Sequence, residues 1–89
     1  MEKLYRFSWD CGIGGDVEGI FIATEDEVGS AMDKDVYFGE ILGKHSEVYG
    51  VLEEHDLEVL DVSDTTVQEL KKVLGRSISG YNPLEYIKY

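Results

Sequence analysis

The sequence predicts a small α+β domain: a mainly antiparallel sheet of about five strands, in the order β-β-α-β-β-β-α, with two helices packed on one face. Three observations carry that expectation. Residues 4–9 alternate, with Tyr5, Phe7 and Trp9 on one side and Leu4, Arg6 and Ser8 on the other, the period of a strand. Thr24-Glu25-Asp26-Glu27 has the spacing of a capping box, and Val28, Ala31 and Met32 follow at i, i+3 and i+4. Val67, Leu70, Val73 and Leu74 form a second helical stripe that Gly75 stops.

The remaining elements are placed between these. Val17 to Ala23 reads as the return strand of a hairpin with an over-long glycine-rich connection, Asp10 to Asp16. Val36 to Leu42 and Val48 to Leu52 read as two strands joined through Gly43-Lys44-His45-Ser46-Glu47. Gly39 and Gly50 mark a bulge or a close backbone approach. Leu57 to Val62 is a fifth strand. Asp64-Thr65-Thr66 opens the second helix, where Thr66 and Glu69 have capping-box spacing. Residues 79–89 form a tyrosine-rich tail that turns at Asn82-Pro83, expected to lie as a lid over one end of the core with Tyr89 exposed. Tyr5, Phe7, Ile20, Ile22, Val67, Leu70 and Leu74 are the expected core.

Eighty-nine residues bound the chain to one domain, 1–89. The single cysteine, Cys11, forbids an internal disulfide and points to the cytoplasm or another reducing space. No stretch has the length of a signal peptide's apolar region or of a membrane span, so a soluble protein is expected, without a membrane partner. The net charge of −11 opposes direct binding to nucleic acid. That charge is uneven: residues 1–64 carry 17 of the 19 acids and four of the eight bases, a net of −13, whereas residues 65–89 are net +2.

The chemistry-bearing patterns are incomplete. Gly39 to Ser46 superficially resembles a phosphate-binding loop, but there is one residue too few between the glycines and a strand follows where a helix is required. Cysteine–histidine catalysis is disfavoured because the acids around Cys11 raise a thiol pKa. His45, Glu47, Glu53, His55 and Asp56 lack the paired spacing of a zinc site. No catalytic residue, metal ligand or cofactor is therefore assigned.

Two readings of function follow. The first places a partner-binding surface on the densest acidic run: Glu53, Glu54, Asp56, Glu58 and Asp61. Side chains on one face of a strand recur about every 6.6–6.8 Å, comparable with the separation of successive phosphates along one nucleic-acid strand. A non-enzymatic protein of this kind docks on the basic surface of a nucleic-acid-handling protein and inhibits it by mimicry, as in phage counter-defence. The second reading is a ligand-binding or catalytic domain in which the Gly43–Glu47 and Asp10–Asp16 loops converge on a small anionic ligand or nucleotide, held by Lys44, His45, Ser46, Glu47 and Asp10, with Lys44 on the anionic group and His45 as donor or base.

Overall fold

The computed structural model describes residues 1–12, 15–43 and 47–88. Lys44, His45 and Ser46 of the second reading, and Tyr89 of the tail, lie outside the described residues.

The elements run β1 (Glu2–Asp10), β2 (Asp16–Thr24), α1 (Glu25–Ala31), β3 (Asp35–Gly39), β4 (Val48–Val51), β5 (Leu57–Leu60), α2 (Asp64–Leu74) and β6 (Ser77–Gly80), with 3-10 turns at Glu54–Asp56 and Pro83–Glu85. The α+β class holds. The described strands number six, in two antiparallel sheets: β5-β1-β2-β6, and a β3-β4 ribbon. A single five-stranded sheet is not formed because β5 takes the free edge of β1 and β6 that of β2. The ribbon is left to pack face-on.

Alternation along β1 and β2 builds two apolar layers. Tyr5, Phe7, Val17, Phe21 and Ala23 point to one side, where they meet Ala31 of α1, Val36 and Phe38 of β3, Val48 of β4, and Leu52. Leu4 and Ile22 point to the other, where Val67 of α2 covers them with Ile20, Leu60, Leu70 and Ile78 at the margin. The helices thus serve opposite faces of the large sheet rather than one. Both sides of the β1–β2 hairpin are shielded from water, which in so short a chain is how enough apolar area is buried.

Local rules fix the ends. The Thr24 hydroxyl accepts the Glu27 amide at 3.1 Å, and the Thr24 amide donates to the Glu27 carboxylate at 3.0 Å, a complete capping box. The second helix is capped by Ser63, which accepts from the Thr66 amide; Thr66 is the third helical residue rather than the cap. Its apolar stripe is shorter than expected. Val67 is buried and Leu70 half-buried, but Leu74 is 54% exposed. The position i+4 from Val67 is Lys71, whose ammonium is held by Glu2 at 2.9 Å, so the last turn stands over a charged rim instead of the core.

The C-terminal segment is more than a lid. Ser77–Gly80 pairs with β2, the Tyr81 amide donates to the Glu18 carbonyl at 3.0 Å, and Val36 bridges Ile87. One strand of chain therefore binds both sheets. Between these anchors Asn82 is buried and satisfied: its side-chain amide donates to Ser77 Oγ at 3.1 Å and its oxygen accepts the Leu84 amide at 3.0 Å. Tyr81 and Tyr86 close on the Phe38 ring at 5.6 and 4.8 Å, as a lid should.

The uneven charge of the sequence is partly cancelled in space. Arg76 donates to both carboxylate oxygens of Glu27 at 2.7 and 2.9 Å, and to Glu2 at 3.0 Å. Two of the four bases beyond residue 64, Lys71 and Arg76, thus fold back onto acids from the first third of the chain.

Candidate functional site

The acidic run lies on a sheet edge. β5 is the outermost strand beside β1, with Leu57 opposite Phe7 and Glu58 opposite Arg6. Glu53 and Glu54 stand immediately before it, at and within the 3-10 turn, and Asp61 immediately after it. All four of Glu53, Glu54, Glu58 and Asp61 are exposed. Among the described residues, no lysine or arginine forms an ion pair with any of them, although the acids nearest the bases are paired: Glu2 with Lys71 and Arg76, Glu18 with Arg6, Glu25 with Lys3, Glu27 with Arg76. Arg6 faces Glu58 across the strands, but its guanidinium turns to Glu18 at 3.8 Å. An exposed edge strand invites unwanted pairing; β5 is only four residues long, and charge on and beside it adds protection and leaves a field for a cationic partner.

Asp56 differs from its neighbours. Its side chain is 11% exposed, and one carboxylate oxygen accepts the Glu53 amide at 2.9 Å, closing the turn. It builds the surface more than it belongs to it. His55 lies between the two acids, its Nε2 at 3.3 Å from Glu53 and 3.5 Å from Asp56. The ligand atoms of Glu53, His55 and Asp56 fall within 4.8 Å of one another. With Asp56 already engaged by backbone and the other two exposed, the trio has the form of a turn rather than of an enclosed metal centre.

The described parts of the two loops do converge. Trp9, Asp10 and Cys11 form one wall of an open cleft of about 410 Å³, and Leu42, Glu47, Val48 and Tyr49 form the other. The first wall is a turn: Asp10 Oδ1 accepts the Gly12 amide at 2.9 Å, and Cys11 and Gly15 are joined through the Cys11 amide at 3.0 Å. Trp9 is fixed edge-on against Phe7 and Phe38, with ring centroids at 5.1 and 5.5 Å. Gly50 faces this ring, but a Cβ there would make only an ordinary contact at 3.4 Å, so the close backbone approach expected of this glycine is not found. The expected bulge falls at Gly39, where φ is +84° and the β3–β4 register shifts. On the second wall, Tyr49 is 68% exposed and its ring stacks with Tyr37 at 6.3 Å.

Among the described residues, the charged side chains that line the cleft are acidic. Burial pushes the Cys11 thiol up, and Asp10 and Asp16 push it further, so this sulfur is held protonated and unreactive near neutrality. Desolvation also raises the Tyr37 phenol, with the Glu47 charge and a hydrogen bond to Glu47 acting in the same direction. Asp10 and Glu47, both expected as ligand residues, are therefore brought to one cleft, and no basic side chain lines it among the described residues. Sequence reasoning missed Trp9 and Tyr49 as parts of it. The available signal was an aromatic at the end of each strand that enters or leaves a loop.

No helix among the described residues is long and apolar enough to cross a membrane. The chain matches no family model, no curated protein and no solved structure.

Proposed function

We propose that this is a non-enzymatic acidic binding protein whose β5 edge docks on the basic, nucleic-acid-binding surface of a partner protein and blocks it. The observation that carries the reading is the set Glu53, Glu54, Glu58 and Asp61, exposed along one edge and ion-paired to no lysine or arginine among the described residues. What sets these four apart is their concentration on and beside one edge strand. A concentrated field of one sign steers an oppositely charged partner and speeds its encounter. Complementary charge then fixes orientation more than it adds affinity.

The test is capture of partners from the native host, followed by binding of the purified partner to wild type and to a Glu53→Gln, Glu54→Gln, Glu58→Gln, Asp61→Asn variant. Asp56 is kept because it closes the turn. The variant is expected to bind at least about 10-fold more weakly with its melting temperature unchanged, and nucleic acid should compete with wild type for the partner. Equal binding by the variant, or binding indifferent to nucleic acid, rejects the reading.

The convergence of the two loops favours a second reading, in which a small ligand occupies the cleft. The described lining opposes an anion, since the Asp10 and Glu47 carboxylates would repel it. A ligand of the opposite sign suits that lining.

A further inference from the structure

We infer that the cleft between Trp9–Cys11 and Glu47–Tyr49 receives an arginine side chain presented by the basic partner. The inference rests on the reading of the protein as a receptor for such a partner, but on residues other than those of the β5 edge. Three features of the cleft converge on a guanidinium. Trp9 and Tyr49 offer aromatic rings on its two walls, one anchored by Phe7 and Phe38 and the other stacked on Tyr37. Asp10 and Glu47 place a carboxylate on each wall. The cleft volume, about 410 Å³, is at the small end of ligand pockets and admits a long side chain rather than a folded element.

Each feature alone is common. Together they describe what a planar, permanently charged fork needs: an aromatic face to stack on and carboxylates to accept its N–H groups. Lysine satisfies the charge but neither the stacking nor the bidentate geometry. Burial is the main reason the Cys11 thiol is raised, and the Asp10 and Asp16 charges that raise it further are also charges that attract a cation. The Glu54–Asp56 turn contacts the end of β1 that carries the cleft, because Leu57, the next residue, pairs with Phe7. A partner drawn in by the edge therefore meets the cleft at the same end of the sheet.

Trp9 is the only tryptophan, so its emission reports the cleft alone. The probe is a short, tryptophan-free peptide with arginines spaced by glycines, titrated at low ionic strength, with lysine and glutamine versions alongside. The arginine peptide is expected to change Trp9 emission saturably, the lysine peptide to bind more weakly, and the glutamine peptide not at all. Asp10→Asn with Glu47→Gln should lower arginine-peptide affinity by about 10-fold or more. Asn keeps a carbonyl oxygen for the Gly12 amide, so the loop and the melting temperature should be retained.

Absence of arginine-peptide binding, or equal binding of the glutamine peptide, overturns the inference. Binding that leaves Trp9 emission and the cleft variant's affinity unchanged also overturns it. If in that last case the edge variant binds weakly, the proposed function stands without the cleft. A saturable emission change that is lost in the cleft variant but intact in the edge variant supports the cleft and removes the edge.

Discussion

Gly19→Ala is expected to cost about 3 kcal/mol or more and to detach the C-terminal segment from the large sheet. A Cβ at Gly19 would stand 1.8 Å from the Tyr81 carbonyl oxygen, 2.6 Å from its carbon and 2.7 Å from its nitrogen. All three are backbone atoms, so no side-chain rotation relieves the clash. Relief requires moving Tyr81, whose amide is bonded to the Glu18 carbonyl, and with it the chain that leads to Asn82 and the Phe38 cluster. Gly80 repeats the constraint from the other side: its φ is +63°, and a Cβ would approach the Glu18 carbonyl oxygen to 2.3 Å. The control is Gly29→Ala, on a helix face with nothing within 4 Å, expected to stabilise by about 1 kcal/mol. Thermal melts of the two variants, with hydrogen exchange at the Ile78 and Tyr81 amides, measure the contrast. A Gly19→Ala protein as stable as wild type would mean that the two segments do not cross there.

The second large effect is expected at the charged rim. Arg76 grips Glu27 with two hydrogen bonds and Glu2 with a third, linking α1, β1 and the chain between α2 and β6. Isolated surface pairs contribute little, but this is a network, and the Glu2 side chain is only 14% exposed. Arg76→Ala should therefore cost about 1–2 kcal/mol, lowering the melting temperature by about 5–10 °C in a domain of this size.

The same network predicts an acid limb. Hydrogen bonds from Lys71, then Arg76, then Gln68 hold the Glu2 carboxyl well below its usual range, from 4.5 to about 2. Because the folded-state pKa is the lower one, this contribution is complete above about pH 4.5 and is lost as pH falls towards 2. Glu27 is shifted in the same direction, chiefly by Arg76. Glu2→Gln should flatten the fall in stability between those pH values. An unchanged acid limb in that variant would show that Glu2 is not tied as the geometry has it.

Much of this fold is legible wherever one local rule suffices. The aromatic alternation of β1, the Thr24 capping box and the bulge at Gly39 each follow from a few neighbouring residues. Features set by distant partners are not legible in this way. Ser77–Gly80 has one apolar residue, Ile78, and becomes a strand because the unpaired edge of β2 lies beside it. Leu74 fits the α2 stripe by spacing, yet Lys71, at i+4 from Val67, is claimed by Glu2, a residue 69 positions away. The acidic run, by contrast, maps directly onto one edge, since charge survives folding as surface. Only Asp56 departs from it, and its engagement with the Glu53 amide depends on a turn that composition does not reveal. The convergence of Asp10 with Glu47 required the β3–β4 ribbon to pack face-on against Trp9, which alternation alone does not specify.

The central claim is that an exposed acidic edge captures a basic protein surface, and the association rate as a function of salt tests it most directly. The Debye length falls from about 10 Å at 0.1 M to about 3 Å at 1 M. For the captured partner, stopped-flow association with wild type is expected to slow by about 10-fold or more across that range. The Glu53→Gln, Glu54→Gln, Glu58→Gln, Asp61→Asn variant should start slower and show a markedly flatter dependence, with dissociation less affected. Wild-type association that is indifferent to salt, or a variant with the same salt dependence as wild type, would contradict the claim and leave the edge as a solvated surface.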